Sequence, residues 1–371
     1  MRVIIDTTSS GGGLMRMVLI HGPISRKDLG QRLGLSPASL TRLSRPLLEA
    51  GLLTESAHSE GIVGRPMKSL DVRAEALAYG GVKLTADRVF AVCTDLRARV
   101  LGSAEFELTS HQPSRVFTTV RRALECASSG RELEGVGVTI GGQISGTRVL
   151  HSLFMGWKDL DLSPMFARLG KAFVLENDVT ALTAAQHWFG VAKGMRDFAL
   201  LTVGSGVGYG LVIHDELVVT PDNGLGSHLP LFEDGPICLL GHRGCSSALL
   251  STGGLLDMHE ELSVGHRVTE EQFRAELQRP DSAASQVMRR SAAALGRLAA
   301  AISSLTLVDT VIVSGESARL YAANRAETQK ALDAGRTEGS RPVRLVFHED
   351  GFEEWAQSAA AMAIRSSFGT S

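Results

Sequence analysis

The residues best suited to metal chemistry lie in one glycine-containing segment. His228 precedes Cys238 by ten residues, and Cys245 ends the stretch Leu239-Leu240-Gly241-His242-Arg243-Gly244-Cys245. One imidazole and two thiolates can bind zinc, but a closed structural site uses four ligands. His242 is the available fourth ligand. The same spacing also fits free thiols in a loop, so both interpretations stay open on spacing alone.

A second group of residues can bind a sugar. Glu176-Asn177-Asp178 stands at the end of a predicted strand, just before a predicted helix. Its amide and carboxylate groups can hydrogen-bond sugar hydroxyls, and Asp178 can act as a general base. An Asp at a helix start is also a common N-cap, which requires no ligand. The glycine-rich residues 204–210 let backbone N–H groups approach an anion or a sugar, although such segments also form tight hairpins.

Residues 14–73 follow the order of elements of a winged helix-turn-helix. Apolar residues at helical spacing predict a helix over 14–20. Ser25 is a natural N-cap for a second helix, which Gly34 ends, and Ser36-Pro37 starts a third. Two short strands are predicted at 52–55 and 67–72. In such a module the third helix enters the major groove of DNA.

The third helix and the hairpin loop carry side chains suited to DNA contact. Arg42 and Arg45 can contact guanine edges or phosphates. Arg65, within Gly64-Arg65-Pro66, can reach a minor groove or follow the backbone. The predicted DNA contacts are Ser36, Ser39, Thr41, Arg42, Arg45 and Arg65. A three-helix module that binds some other partner is the alternative.

The distribution of charge agrees with a DNA contact in this segment. Between residues 14 and 68, eight basic residues stand against four acidic ones, a local charge of +4 in a chain of net charge −2. Positive charge supplies the sequence-independent part of DNA affinity. Solvated surface charge is the alternative interpretation.

Length and composition indicate a protein of two or three domains. The chain has 371 residues, of which 44% are hydrophobic and 21% charged, which are globular values. Its apolar stretches are shorter than the roughly 18 residues of a membrane span, and no continuous signal core opens it. We expect a cytoplasmic protein without a membrane partner.

Beyond residue 79, predicted strands alternate with predicted helices, which is typical of α/β architecture. The strands are expected at 89–93, 136–140, 173–175, 198–203, 211–213 and 310–313, and the helices at 114–127, 178–189, 270–278 and 283–305.

Residues 14–371 resemble the transcriptional-regulator branch of the ROK family (repressors, open reading frames and kinases). The matching motifs are Gly64-Arg65-Pro66, Gly135-Val136-Gly137-Val138 with Gly141-Gly142, Gly156-Trp157, Glu176-Asn177-Asp178, residues 204–210, His228, Cys238 with Gly241, Gly244 and Cys245, and Val311-Ile312-Val313-Ser314-Gly315. The resemblance implies an N-terminal winged helix-turn-helix followed by an α/β actin-like (ribonuclease H-like) sugar-kinase fold of two lobes around a sugar cleft. It also implies a zinc site and homodimers or homotetramers.

The resemblance suggests boundaries for these parts. We expect a flexible arm at 1–13, the winged helix at 14–75 and a first lobe at 76–190, to which a C-terminal helix at 353–368 returns. The second lobe, with the His/Cys loop, is expected at 191–352.

The sequence departs from the kinases of this family in the phosphate loop. Kinase members carry Asp-x-Gly-Gly-Thr where this chain has Lys83-Leu84-Thr85-Ala86-Asp87. A hairpin without those glycines is poorly shaped to cradle a triphosphate. We therefore expect no ATP binding and no enzyme activity, although Asp178 matches the catalytic base of the kinases.

The sugar and zinc motifs are also incomplete. The family pattern Cys-x-Cys-Gly-x-x-Gly-Cys-x-Glu has Leu240 in place of its second Cys and Ser247 in place of its Glu, and Leu225 replaces another sugar-binding Glu. The remaining candidates for effector contact are Gly141, Asn177, Asp178 and His228. Those for zinc are His228, Cys238 and Cys245, with His242 as the fourth ligand.

These features predict a DNA-binding transcriptional regulator. We expect a repressor that binds a double-stranded DNA operator and responds to a sugar or sugar-derived metabolite between its lobes. One alternative is a constitutive DNA-binding protein with a degenerate effector domain. The other is an ATP-dependent sugar kinase with an appended module.

Overall fold

Local signals define the N-terminal helices. The side chain of Ser25 accepts a hydrogen bond from Asp28 N, and Gly34 ends the helix in the left-handed conformation with a φ of 63°. Ser36 caps the next helix by accepting from Ser39 N, and Pro37 occupies its first turn. The predicted second and third helices are thereby confirmed.

These helices and a three-stranded sheet form the winged helix. Its elements are α1 (Ser10–His21), α2 (Arg26–Leu33) and α3 (Pro37–Glu49), with β1 (Ile24–Ser25), β2 (Leu53–His58) and β3 (Met67–Val72). The strand order is β1-β3-β2. The antiparallel pair β2–β3 is the wing, and the segment that joins its strands lies outside the described residues.

The computed structural model describes residues 10–58, 67–219, 225–349 and 351–368. It falls into two compact units, Met1–Gly194 with Phe352–Ser371 and Met195–Gly351. In the described part of the chain, every helix is too short or too polar to span a bilayer.

The first helix begins earlier than the sequence predicts. α1 starts at Ser10, so residues 10–13 are helical and do not belong to a flexible arm. Gly12 is buried, and Leu14 and Met15 are fully enclosed. Packing of this helix therefore overrides the low helix propensity of the glycines. Residues 1–9 of the predicted arm lie outside the described residues.

The larger part of the first unit is a five-stranded sheet of order β11-β7-β4-β5-β6 with helices packed on it, and a small sheet of order β10-β9-β8. Its strands are β4 (Ala78–Leu84), β5 (Arg88–Thr94), β6 (Val100–Glu107), β7 (Leu133–Ile140), β8 (Gln143–Ser145), β9 (Arg148–Ser152), β10 (Trp157–Asp161) and β11 (Ala172–Asn177). Its helices are α4 (Pro113–Ser128), α5 (Ser163–Phe166), α6 (Asp178–Trp188) and, from the end of the chain, α13 (Phe352–Phe368).

Helix α13 lies directly against the sheet because both surfaces carry small residues. A Cβ atom at Gly81 would overlap the carbonyl oxygen of Ala356, and one at Gly137 would overlap that of Ala359. Glycine at these strand positions and alanine along the helix thus permit the close approach.

The winged helix shares one apolar core with the first lobe. Val18 of α1, Val92 of β5, Trp188 of α6 and Ile364 of α13 belong to the same buried cluster. Arg97 reinforces this junction, because its guanidinium donates to Leu19 O at 2.7 Å and pairs with Asp71 of β3. The DNA-reading module is therefore packed onto the lobe through a continuous core.

The second unit is built on a sheet of order β14-β13-β12-β15-β16. Its strands are β12 (Phe198–Val203), β13 (Val207–Ile213), β14 (Glu216–Leu217), β15 (Thr310–Ser314) and β16 (Arg344–Phe347). Its helices are α7 (Ser246–Leu250), α8 (Thr252–Leu262), α9 (Glu270–Glu276), α10 (Ala283–Thr306), α11 (Ala318–Ala323) and α12 (Arg325–Ala334). The glycine-rich residues 204–210 form the tight β12–β13 hairpin, with its turn closed by Gly204 N donating to Gly206 O at 3.1 Å.

Candidate functional site

Helix α3 presents a polar face that can contact DNA. Leu40 and Leu47 are buried, whereas Thr41, Arg42 and Arg45 are exposed. Arg42 directly follows Thr41, and Arg45 comes three residues after Arg42, so the three side chains lie along the outer face of the helix. Among the described residues, Arg42 makes no hydrogen bond or ion pair, so its guanidinium is available to a ligand.

Two of the predicted DNA contacts form the start of this helix. Ser36 Oγ accepts from Ser39 N at 3.2 Å and donates to Ser39 Oγ at 3.0 Å. Thr41 Oγ1 donates to Pro37 O at 2.9 Å. The Ser36 hydroxyl is therefore used in capping the helix, whereas Ser39 Oγ only accepts here and keeps its own O–H as a donor for DNA. Arg65, with Gly64 and Pro66, lies outside the described residues.

An acidic side chain shares the outer face of α3. Glu49 Oε1 accepts from Arg45 Nε at 2.7 Å, one turn along the helix, and both side chains are exposed. The hydrogen bond to Glu49 raises the pKa of Arg45. Arg45 is thus held in a defined direction but partly neutralised in the free protein.

The second unit brings four possible metal ligands together. The ligand atoms of His228, Cys238, His242 and Cys245 all lie within 4.8 Å of one another. His228 Nδ1 lies 3.6 Å from Cys238 Sγ and 3.7 Å from Cys245 Sγ, and His242 Nδ1 lies 3.7 Å from Cys238 Sγ. Tetrahedral zinc with ordinary bond lengths separates its sulfur and nitrogen ligands by about 3.5 Å. The donor set and its spacing therefore fit zinc.

A tight turn explains how His242 joins this cluster. Gly241 N donates to Cys238 O at 2.8 Å, and Cys238 N donates to His242 O at 3.0 Å. Gly241 has a φ of 85°, which favours glycine at this turn. The chain thus folds back on itself between Cys238 and His242, which compensates for the leucine at position 240. The position of His242 four residues after Cys238 was the signal in the sequence.

The electrostatics of the cluster suit metal ligands. Burial, together with the neighbouring His242, lowers the pKa of His228 and favours the neutral imidazole. Burial alone would raise the pKa of the Cys238 thiol, but backbone hydrogen bonds from Leu240 and His242 outweigh it, and the pKa is lowered. Burial raises the pKa of Cys245. In the metal-free protein Cys238 is therefore the readier thiolate.

In the first unit, Asn177 forms the junction between β11 and α6. Its Oδ1 atom accepts from Val179 N at 2.9 Å and from Thr180 N at 3.1 Å, as an N-cap. Its Nδ2 group donates to Gly142 O at 2.9 Å. Asn177 thus holds the turn after β7 against the start of α6, and its role in this structure is one of positioning.

Asp178 lies beside that turn and forms an ion pair that the sequence did not predict. Asp178 Oδ1 accepts from Val179 N at 2.9 Å, and Oδ2 pairs with Lys83 Nζ. A Cβ atom at Gly141 would lie 3.4 Å from Asp178 Oδ2, so the missing side chain leaves the carboxylate accessible from that side. Phe154, which is exposed, borders the same point.

Lys83 comes from the end of β4, where kinase members carry the acid of their phosphate loop. The residue is 7% exposed, and its Nζ atom lies 5.0 Å from the centre of the Trp355 ring. The turn that follows is closed tightly by Thr85 N donating to Arg88 O at 3.0 Å. Lys83 and Trp355 are the residues of this site that sequence reasoning missed, since pairing across 95 residues leaves no local signal.

The candidate effector residues divide between the two units. Gly141, Asn177 and Asp178 lie together in the first, whereas His228 belongs to the second. The Nδ1 atom of His228 faces the two thiols, which leaves its Nε2 atom for another partner.

Together, these elements define a winged helix-turn-helix followed by an actin-like α/β fold, and the predicted fold class is confirmed. The chain belongs to the ROK family, which matches residues 79–363. It is 26% identical over 262 residues to the DNA-binding transcriptional repressor Mlc of Escherichia coli (strain K12), a match that covers 67% of this chain and 64% of Mlc. It is 23% identical over 252 residues to the xylose repressor of Bacillus spizizenii, covering 66% of each. The chain therefore spans just under two thirds of either relative.

Solved structures show the same architecture. A ROK family transcriptional regulator, described as a homologue of the Escherichia coli Mlc protein, matches with a TM-score of 0.82 and 20% identity, covering 98% of this chain and 96% of that one. A ROK family glucokinase from Streptomyces griseus, solved with glucose and AMPPNP, has a TM-score of 0.65 and 22% identity, covering 77% of this chain and 99% of the kinase. The match to the regulator therefore includes the winged helix. Both matches show similarity of fold.

Proposed function

We propose that this protein is a DNA-binding transcriptional repressor controlled by a sugar or sugar-derived metabolite. The observation that carries the proposal is the exposed face of α3, with Thr41, Arg42 and Arg45, on a winged helix packed onto a ROK lobe. The repressor names of the matched relatives support the same function. A DNA operator as partner implies a cytoplasmic location.

The proposed operator is palindromic, because the protein is proposed to act as a homodimer or homotetramer. In a dimer each α3 would enter a major groove, with Arg42 and Arg45 contacting bases or phosphates. The two half-sites would then lie one helical turn, about 10–10.5 base pairs, or a multiple of it apart. Arg65 would add a contact from the wing.

The proposed effector contacts in the first unit are Asp178 and its neighbours Gly141 and Asn177. Asp178 would accept hydrogen bonds from sugar hydroxyls, and the backbone at Gly141 would approach the ring closely. Asn177 would keep the carboxylate in place through its hydrogen bonds with Val179 N, Thr180 N and Gly142 O. In the second unit, His228 is proposed as a separate candidate for effector contact through its Nε2 atom, because its Nδ1 atom faces the two thiols.

Helix α6 provides a path from this site to the DNA-reading module. It begins at Asp178 and ends at Trp188, which is buried in the core shared with α1. Its 11 residues span about 16 Å as one rigid element. The Trp188 ring lies under the guanidinium groups of Arg16 of α1, at 5.7 Å, and Arg365 of α13, at 6.0 Å. A ligand that moves the start of α6 would therefore change the packing of α1 and the population of DNA-binding conformations.

We also propose a structural zinc ion held by His228, Cys238, His242 and Cys245. Bound there, the ion would fix the segment between His228 and α7, which otherwise has little regular structure. Since His242 stands in for the missing thiolate, His242→Ala is expected to lower zinc affinity by at least about tenfold, whereas His242→Cys is expected to retain it. Competition with a chelator of known affinity measures both. Equal affinity of His242→Ala and wild type would remove His242 from the ligand set.

The protein is proposed not to be a kinase. In the glucokinase fold, catalysis needs a free base and a phosphate loop, whereas here Lys83 pairs with Asp178 and the turn 85–88 is closed. The ammonium group of Lys83 occupies the carboxylate oxygen of Asp178 that a substrate hydroxyl would have to approach.

Glu49 is expected to restrain DNA binding. Its carboxylate forms an ion pair with Arg45 and would lie close to DNA phosphates. Glu49→Gln should therefore raise the affinity for DNA about three- to tenfold and make that affinity depend more steeply on salt concentration. Fluorescence anisotropy at several salt concentrations measures both effects. Glu125→Gln is the control, because Glu125 forms the same type of exposed pair with Arg121 on α4. Lower affinity of Glu49→Gln would contradict the proposed orientation of α3.

Selection of operators from random DNA tests the proposed function, followed by a screen for metabolites that release the selected site. A palindrome released by a sugar or sugar derivative supports the proposal. A palindrome that no metabolite releases favours a constitutive DNA-binding protein. Failure to select any sequence would contradict DNA reading, and a coupled ATPase assay with hexoses would then test the kinase alternative.

A further inference from the structure

We propose that Lys83 makes the effector site selective for a sugar that carries an acidic group, a phosphate ester or a carboxylate. This inference rests on the proposed function, because it assigns a chemical class to the effector of the site around Asp178. It concerns a residue that has no counterpart in the sugar contacts of the family motif.

The first argument is the incomplete coordination of the Lys83 ammonium group. An ammonium has three N–H donors and no acceptor. In the described part of the chain, its hydrogen-bonding partner is Asp178, and the Trp355 ring covers a second side at 5.0 Å. A buried ammonium with an unused donor is costly, so a ligand that accepts from it gains the full value of that hydrogen bond.

The second argument is the charge balance around Asp178. The carboxylate is compensated twice, by Lys83 and by the N-terminus of α6, where Val179 N donates to its Oδ1 atom at 2.9 Å. A helix N-terminus carries roughly half a positive charge. The group of Lys83, Asp178 and the helix end is therefore slightly positive, and an added anion would find a compensating charge there.

The third argument is access. Side chains of Lys83 and Asp178 retain 9% and 15% exposure, and Gly141 places no side chain beside the carboxylate. The exposed ring of Phe154 lies at the same edge and can cover the apolar face of a sugar ring. Hydroxyls of the ligand would reach Asp178 while its acidic group reaches Lys83.

Titration calorimetry on the full-length protein tests this assignment. The ligands are matched sets of a neutral hexose, its 6-phosphate and its uronic acid in the gluco, galacto and manno configurations, with inorganic phosphate alone. The wild type is expected to bind an acidic member at least about tenfold more tightly than its neutral parent, the size that charge-assisted hydrogen bonds give. Preference within a set distinguishes phosphate from carboxylate.

Two substitutions assign the preference to Lys83. Lys83→Met keeps the apolar stem against Trp355 and is expected to abolish the preference, whereas Lys83→Arg is expected to keep it. Melting temperature and operator affinity without ligand report whether each variant is folded. The inference would be overturned by the wild type alone if it binds no acidic sugar, or if it binds the neutral parent as tightly as the acidic sugar. A preference that survives in folded Lys83→Met would also overturn it.

The proposed function can fail separately. If the protein selects no DNA operator, DNA regulation is wrong whatever calorimetry shows. If it selects an operator but shows no preference for acidic sugars, only the role of Lys83 is wrong.

Discussion

The Cys245→Ser variant is expected to contain no bound zinc after purification and to unfold at a lower temperature than the wild type. Cys245 is fully buried, and its Sγ atom lies 3.7 Å from His228 Nδ1. Its Sγ atom also caps α7 by accepting from Ala248 N at 3.4 Å. Serine is a good N-cap, so Cys245→Ser preserves the cap and removes only the thiolate ligand. Zinc affinity should fall more than about a hundredfold, since even changes behind the ligands cost 10–100-fold.

Elemental analysis and differential scanning calorimetry measure this prediction. Cys126→Ser is the matched control, because Cys126 is a free and exposed cysteine on α4 outside the cluster. It should retain one zinc ion per chain and the melting temperature of the wild type. A Cys245→Ser protein that keeps its zinc, or a wild type purified without zinc that a chelator does not destabilise, would refute the structural zinc site.

The second large effect is expected from the double substitution Arg42→Ala with Arg45→Ala, which should reduce operator affinity by about a hundredfold or more. Each arginine that contacts a base edge contributes about 1–3 kcal/mol. Both side chains lie on the exposed face of α3 and contribute nothing to its buried side, so the fold should be unaffected. Anisotropy titrations with the selected operator measure the loss.

The salt dependence of the two single variants separates the kinds of contact. A variant that loses a phosphate contact should show a slope of log affinity against log salt concentration that is smaller in magnitude by about one. A variant that loses a base contact should instead relax the sequence preference at one operator position. Arg121→Ala on α4 is the control for removal of an exposed arginine. Unchanged affinity of the double variant at fixed salt would exclude α3 as the reading helix.

The parts of the structure that depend on neighbouring residues were predictable from the sequence. The caps at Ser25 and Ser36 and the glycine at position 34 define α2 and α3, because each acts within one turn of the helix. The strand β12 has the predicted bounds, since its unbroken apolar run is typical of a buried strand.

Three elements were missed or predicted too short. Strand β1 has two residues and exists through its pairing with β3. Strand β6 was overlooked although its burial alternates from residue to residue, the pattern of a half-exposed strand. The start of α1 moved to Ser10 because packing stabilises a glycine-rich turn.

In the candidate sites, too, local features were visible in the sequence and long-range contacts were not. The spacing of Cys238 and His242 was visible in the sequence, but the turn that joins them needed the φ of Gly241. Lys83 could be recognised only as a departure from the kinase loop. Its pairing with Asp178 arises because β4 and β11 lie either side of β7 in one sheet.

Genome-wide footprinting of the protein in its own host tests the central claim most directly, with the Arg42→Ala, Arg45→Ala double variant run in parallel. We predict a small set of palindromic sites that the wild type occupies and the double variant leaves empty. Occupancy of no site above background, or of the same sites by both proteins, would contradict a transcriptional regulator that reads DNA through α3.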